Sequence, residues 1–183
     1  MYEAEIKFIA PPGFRLPGTR LADAVYRDVY FDTPDGAFYA SGRELRLREA
    51  DGQTFCTCKN PPFDAASASK EELSTAVADT GAMEAVLTGL GFVRRMAYVK
   101  HCRRSRTMHN GLALELTLVT VDFAAGTFVE IEHQARDRAL GLAALPVIRS
   151  YGAAIGLTRE YPRAYTDLFL DARDRDVTEP RPC

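Results

Sequence analysis

The sequence predicts an α+β fold built mainly from antiparallel strands, and three observations carry that prediction. Alternating apolar and polar runs recur along the chain, and a strand sends successive side chains to opposite faces. The runs are separated by tight turn signals: Thr33-Pro34-Asp35-Gly36, Asp51-Gly52 and His109-Asn110-Gly111. Such short connections favour hairpins over parallel crossovers. One stretch only, after Thr80, has clear helix punctuation at both ends. The pattern allows seven or eight strands and two or three helices, with no internal repeat and no second domain.

The first strand covers residues 2–9, where Glu3, Glu5 and Lys7 alternate with Ala4, Ile6 and Phe8, and Pro11-Pro12-Gly13 ends it. Pro17-Gly18 breaks the next stretch, leaving at most a short helix near Thr19–Val25. Tyr26–Asp32 reads as a strand with Asp28, Tyr30 and Asp32 on one face. Phe38–Gly42 leads into a strand over Arg43–Glu49, which Asp51-Gly52 turns into its partner Gln53–Lys59. Asn60-Pro61-Pro62 stops that partner, and the small polar residues 64–69 read as a mobile loop. Lys70–Ala78 alternates weakly as a strand. Thr80 is the expected N-cap of a helix of roughly ten residues carrying Met83, Val86, Leu87 and Leu90, with Gly91 as its stop. Phe92–Thr107 is long and basic, and Leu112–Val121 is a strand with leucines on one face and Glu115 on the other. Ala124-Ala125-Gly126 is the expected turn into a strand over Thr127–His133. Helix is expected to start within 136–143 and to continue, broken or as a hairpin, to Leu157. A short helix covers Tyr161–Leu170, and the charged, proline-bearing segment 171–183 reads as a disordered tail.

The bulk numbers narrow the function classes. The chain has 183 residues, 46% of them hydrophobic, enough for one domain with a sizeable core. A net charge of −2 gives no general attraction to nucleic acid or to an anionic membrane surface, so any basic site must be local. No stretch approaches the ~18 apolar residues of a membrane span, and Glu3 and Glu5 argue against a secretory leader. The expected location is therefore the cytoplasm. Cys56-Thr57-Cys58 lacks the two-residue spacing common at zinc sites and reads as packing. The three histidines show no metal-ligand spacing to one another and read as structural or surface residues.

The in-phase charges are the unusual feature. Glu3 and Glu5, Arg46 and Arg48, and Glu130 and Glu132 each place two like charges on one strand face, which is costly unless opposite charge lies between them. Glu72, Glu115, Lys7, Lys59, Lys100, Arg104 and Arg106 fall in the same phase. Carboxylate pairs suit a hard divalent cation, and basic pairs suit phosphate. The period is identical whether these rows face water on an open sheet or the inside of a closed barrel.

Glu3-Ala-Glu5-Ile-Lys7 resembles the Glu-x-Glu-x-Lys signature of the CYTH superfamily, the class IV adenylate cyclases and thiamine triphosphatases also called triphosphate tunnel metalloenzymes. Further similarities follow in family order: Asp28-Val-Tyr30-Phe31-Asp32-Thr33, Leu45-Arg46-Leu47-Arg48, Lys59 followed by Lys70-x-Glu72, Phe128-Val129-Glu130-Ile131-Glu132, and Tyr165-Thr-Asp167-Leu168. They run from residue 3 to about 170, nearly the whole chain. Two places depart from the family pattern. An acid usual in the strand before Phe128 is absent from its place, which counting back from Glu130 puts at Thr120; Glu115 and Asp122 are the nearest acids. In the basic strand Cys102 takes an in-phase position, so Arg103 or Arg104 must substitute.

The resemblance implies a closed antiparallel eight-stranded β-barrel, a triphosphate tunnel, with flanking helices and one domain over residues 1–170. It implies Mg²⁺ or Mn²⁺ on Glu3, Glu5, Glu130, Glu132 and Glu115. It implies a triphosphate held by Lys7, Arg46, Arg48, Lys59, Lys100, Arg104, Arg106 and Glu72, with Lys7, Tyr30 and Lys59 as catalytic residues. The expected partner is a small-molecule triphosphate, neither nucleic acid nor membrane, and a homodimer stays open. The expected activity is metal-dependent hydrolysis of inorganic, thiamine or nucleoside triphosphate. The alternatives are class IV adenylate cyclase chemistry, giving cyclic AMP and pyrophosphate from ATP, and non-catalytic triphosphate binding.

Overall fold

A computed structural model describes residues 1–178. The elements are β1 (Tyr2–Ile9), β2 (Thr19–Arg20), β3 (Ala24–Asp32), α1 (Ala37–Ala40), β4 (Glu44–Ala50), β5 (Gln53–Lys59), β6 (Lys70–Val77), α2 (Thr80–Gly89), β7 (Val93–His109), β8 (Leu112–Val121), β9 (Ala124–Ala135), α3 (Arg138–Ala154) and α4 (Tyr165–Thr178). Eight strands close into a barrel in the order β7-β3-β4-β5-β6-β1-β9-β8, with β8 pairing back onto β7. All pairings are antiparallel. Among the described residues no helix is long and apolar enough to cross a membrane.

Closure decides which face is wet. The apolar row Ala4, Ile6 and Phe8 of β1 points outward and joins Leu114, Leu116, Val129 and Ile131 under Ala144, Leu145 and Ile148 of α3. On another side, Leu87 of α2 packs on Phe31, Leu45 and Leu47, with Cys56 and Cys58 at the margin. With the apolar rows covered from outside, the charged rows have only the interior left. Burying them is tolerable only where each meets an opposite charge or a ligand.

The closing seam between β1 and β6 is short: only Tyr2↔Glu71 and Glu3↔Lys70 pair. A side chain continues the ladder, since Ser69 Oγ accepts from Glu5 N at 3.0 Å and donates to Glu5 O at 3.2 Å. Further along, Ile9 N donates to Arg159 O and Tyr161 N to Lys7 O. The stretch expected as a mobile loop is thus partly structural, with Ser67 and Ser69 buried.

Several elements differ from expectation for local reasons. In place of a short helix near Thr19–Val25, Thr19–Arg20 pairs with Ser105 and Arg106 of β7. Gly18 permits this approach: it has φ +91°, and a Cβ there would lie 2.6 Å from the Arg106 carbonyl oxygen. Phe38 sits in the single turn α1, held by Asp32, whose Oδ1 accepts from Thr33 N and Tyr39 N. The α2 N-cap is Asp79, accepting from Ala82 N at 2.9 Å, while Thr80 hydrogen-bonds Thr54. The β8–β9 turn falls at residues 122–123, because Val121 already pairs with Ala124. α3 is one helix through Pro146. α4 continues to Thr178, so residues 171–178 of the expected tail are helical, and 179–183 lie outside the described residues.

Candidate active site

The barrel interior encloses a cavity of about 150 Å³ walled almost entirely by ionisable side chains. Of the expected site residues, Glu3, Glu5, Lys7, Tyr30, Arg46, Arg48, Lys59, Glu72, Lys100, Glu115, Glu130 and Glu132 all line it. Arg104 and Arg106 stand beside it through Glu115: Arg104 Nη2 is 2.5 Å from Glu115 Oε1, and Arg106 Nη2 is 3.1 Å from Oε2. Arg106 is 59% exposed there, so this end opens to solvent.

The register explains the grouping. Glu5 lies opposite Glu132, and Lys7 opposite Glu130, across β1 and β9. Glu3, Glu5 and Glu132 bring carboxylate oxygens within 4.8 Å of one another. Burial pushes the Glu5 carboxyl up to about 8, helped by Glu130 and Glu3 and opposed by Lys7. Burial raises Glu132 too, helped by Glu3 and Glu5. Glu3 is raised by burial although Lys59 stands 3.2 Å away. Among the described residues neither Glu5 nor Glu132 forms an ion pair. Three carboxylates this close, of which only Glu3 has an ion-pair partner, form an all-oxygen set that fits a hard divalent ion.

The other acids are spoken for. Arg48 grips Asp28 with Nε at 2.7 Å and Nη2 at 2.6 Å, and Arg46 Nη1 is 3.8 Å away. Burial would raise Asp28, but the two guanidiniums outweigh it and hold the carboxyl at about 2. Glu44 pairs with Lys70 at 3.0 Å. Lys59 bridges Glu3 and Glu72. Glu130 receives Lys100 at 3.1 and 3.3 Å, so it sits outside the carboxylate triad. Glu115 is held by its two arginines and is also outside that triad.

Arg46 is the exception among the cations. It is buried, and its Nε has no hydrogen-bond partner. A buried donor left unmade is costly, and Arg46 lines the cavity. Tyr30, buried and kept neutral by burial, accepts from Tyr98 Oη at 2.9 Å. Among the described residues no hydrogen bond joins Tyr30 to Lys59. Lys7 donates to the Arg163 carbonyl at 2.9 Å. At this end the cavity meets aromatic rings: Tyr30 stacks on Tyr98, and Tyr98 packs on Phe123 and Phe169.

The two departures resolve by register. Thr117, and not Thr120, pairs with Glu130 and lines the cavity; Thr120 is exposed. Arg104 supplies the interior arginine, Cys102 is buried, and Arg103 is exposed. Glu44, Lys70, Tyr98, Thr117 and Tyr165 also line the cavity, and Asp28 is buried against its arginines; none of these is among the site residues expected from sequence. Asp28, Glu44 and Lys70 share phase with residues that were assigned, and this was the available signal.

The model of the CYTH domain family matches residues 1–154. The chain belongs to the CYTH family, whose enzymes process triphosphates with the help of a metal. A curated relative from Methanocaldococcus jannaschii, described as a candidate adenylate cyclase, is 30% identical over 110 residues, which span 60% of each chain. Among solved structures, a Pyrococcus horikoshii protein superposes with a TM-score of 0.78 at 23% identity, covering 92% of this chain and 98% of that one. A Hippeastrum protein, described as a candidate adenylyl cyclase with a dominant triphosphatase activity, gives a TM-score of 0.62 at 18% identity over 93% and 95% of the two chains. These structures share the fold.

Proposed function

We propose that this chain is a divalent-metal-dependent triphosphatase acting on inorganic, thiamine or nucleoside triphosphate. The observation that carries the reading is the convergence of Glu3, Glu5 and Glu132 in one cavity with buried Arg46 and Lys100 and half-buried Arg48 and Lys59. Mg²⁺ or Mn²⁺ on that triad would neutralise phosphate charge and polarise the attacked phosphorus. The chain's own residues do the positioning. Arg46 offers a free buried donor to a phosphate oxygen. Lys100, held charged by Glu130 against the effect of burial, adds fixed positive charge, while burial lowers the Lys7 ammonium, whose charged form an incoming phosphate would favour. Lys59, anchored by Glu3 and Glu72, is held ready to follow charge developing on the phosphate chain. Tyr30, neutral and hydrogen-bonded to Tyr98, orients as a phenol.

The second reading is adenylate cyclase chemistry, favoured by the description of the Methanocaldococcus relative. The aromatic end weighs against it, since the rings of Tyr30, Tyr98 and Tyr165 already wall the cavity there. The test is one incubation with tripolyphosphate, ATP and thiamine triphosphate in Mg²⁺ or Mn²⁺, scored for phosphate and cyclic AMP. Phosphate release without cyclic AMP is expected. Cyclic AMP as the main product from ATP would replace this reading with the second. Tripolyphosphate binding without turnover of any of the three would leave a non-catalytic binding protein.

A further inference from the structure

Tyr165 opens α4, beyond the stretch that matches the family model. It lines the charged cavity from its aromatic end. Both inner lysines lie over its ring, Lys7 Nζ at 4.1 Å and Lys100 Nζ at 4.4 Å from the centroid. Phe128 meets the ring edge-on at 5.4 Å. The side chain is only 6% exposed, yet its hydroxyl is buried without a hydrogen bond. Burial first, then the neighbouring Glu130 and Glu5 carboxylates, keep the phenol protonated; Glu130 lies close by, but its approach falls short of hydrogen-bond geometry. An orphaned buried hydroxyl is rare and calls for a partner.

We infer that the Tyr165 hydroxyl is the end-stop of the phosphate chain, donating a hydrogen bond to the phosphate group farthest from the Glu3–Glu5–Glu132 triad. The inference rests on the triphosphate reading and adds chain length to it. Along β1, Lys7 is two residues past Glu5 and four past Glu3, ~7 and ~14 Å at strand rise. Tyr165 sits over Lys7, so a chain anchored at the triad must span that distance to reach the hydroxyl. A three-phosphate chain held at the triad reaches one phosphate further along this row than a two-phosphate chain, which stops short of the hydroxyl. Phe128 packs edge-on against the ring, and Tyr98 and Phe169 belong to the same apolar cluster. The Lys7 Nζ hydrogen bond to Arg163 O holds the segment before α4 against the barrel.

The test is calorimetric binding of tripolyphosphate and of pyrophosphate, with Mg²⁺, to the full chain and to Tyr165→Phe. The substitution keeps the ring, its lysine contacts and the wall, and removes only the hydroxyl. Expected is a loss of about tenfold in tripolyphosphate affinity, the size of one hydrogen bond to a charged group, with pyrophosphate affinity unchanged. A second variant, Tyr165→Ala, removes the wall and should bring tetraphosphate affinity up toward that of tripolyphosphate. Equal affinity of wild type and Tyr165→Phe for tripolyphosphate, or equal losses for both ligands, overturns the end-stop while leaving the triphosphatase reading standing. A wild-type chain that binds no tripolyphosphate takes both down.

Discussion

The Asp28 carboxyl, buried against Arg46 and Arg48, and the Glu5 carboxyl, which lines the cavity, are both buried and are driven in opposite directions. Asp28 is held at about 2, while Glu5 is pushed up to about 8. Burial penalises both. The difference is the company each keeps: two arginines at Asp28, other carboxylates at Glu5. The Asp28 wall therefore satisfies itself and behaves as structure. The Glu5 cluster keeps its carboxylates crowded, and under the proposed function it is where a divalent cation would sit.

The sharpest way to break this contrast is to neutralise one member of each side. Glu5→Gln is expected to cut metal-dependent turnover by ~100-fold or more while leaving the melting temperature equal or higher, because it removes a crowded charge. A variant that keeps near-wild-type turnover with Mg²⁺ or Mn²⁺ would show that the triad is not the metal site. Asp28→Asn should do the reverse to the fold. It leaves Arg46 and Arg48 without their shared counter-charge, and loss of one partner of a buried pair costs ~3–5 kcal/mol. Denaturant unfolding reads that cost directly, and a change under ~1 kcal/mol would mean that solvent reaches the pair.

The same contrast sets a pH profile. The Glu5 carboxyl binds its proton more tightly in the folded chain than in the unfolded one, where 4.5 is the ordinary value. Between about 4.5 and about 8 the unfolded chain has therefore released a proton that the fold retains, and stability falls as pH rises through that window. Asp28 is depressed, so its contribution is present above 3.8 and is lost as pH falls toward about 2. Chemical denaturation of metal-free protein across pH 5–9 should show the alkaline decline, and Glu5→Gln should flatten it. A decline of the same slope in the variant would place its origin elsewhere.

Much of this was readable in advance because the period-2 rule is strict. Once the apolar rows of β1, β8 and β9 are assigned to α3, the alternating charges must point inward. Partner choice was not readable, because it depends on which strands meet and in what register. Glu130 and Glu132 look equivalent in sequence, but Lys100 reaches one and not the other. Counting back from Glu130 points to Thr120, as if no residue of the turn or strand were out of register. The true turn at 122–123, followed by a bulge between Val119 and Val121, slides Thr117 into place. Asp28, Glu44 and Lys70 carry single charges, so no doubled pattern drew attention to them. The charged sequence 171–178 lacks the apolar content that usually announces a helix, yet α4 extends through it from the docked residues Tyr165, Leu168 and Phe169.

The smallest expected effect is at Glu115, where the two kinds of site meet. Its carboxylate faces Glu132 across the sheet, which would suit a metal ligand. Its oxygens, however, are taken by Arg104 and Arg106 at the solvent-open end. Glu115→Ala removes an acid already neutralised and leaves the triad intact. Turnover at saturating metal should stay within about threefold of wild type, since partly exposed pairs contribute little. The freed arginines face an incoming polyanion, so KM for tripolyphosphate should fall, and the gain should shrink as salt is raised. Glu130→Ala should be far worse, because it strands Lys100 as an unpaired buried cation. Equal and complete loss of activity in Glu115→Ala and Glu130→Ala, at saturating metal and with both variants folded, would make Glu115 a direct metal ligand and extend the cluster to that mouth.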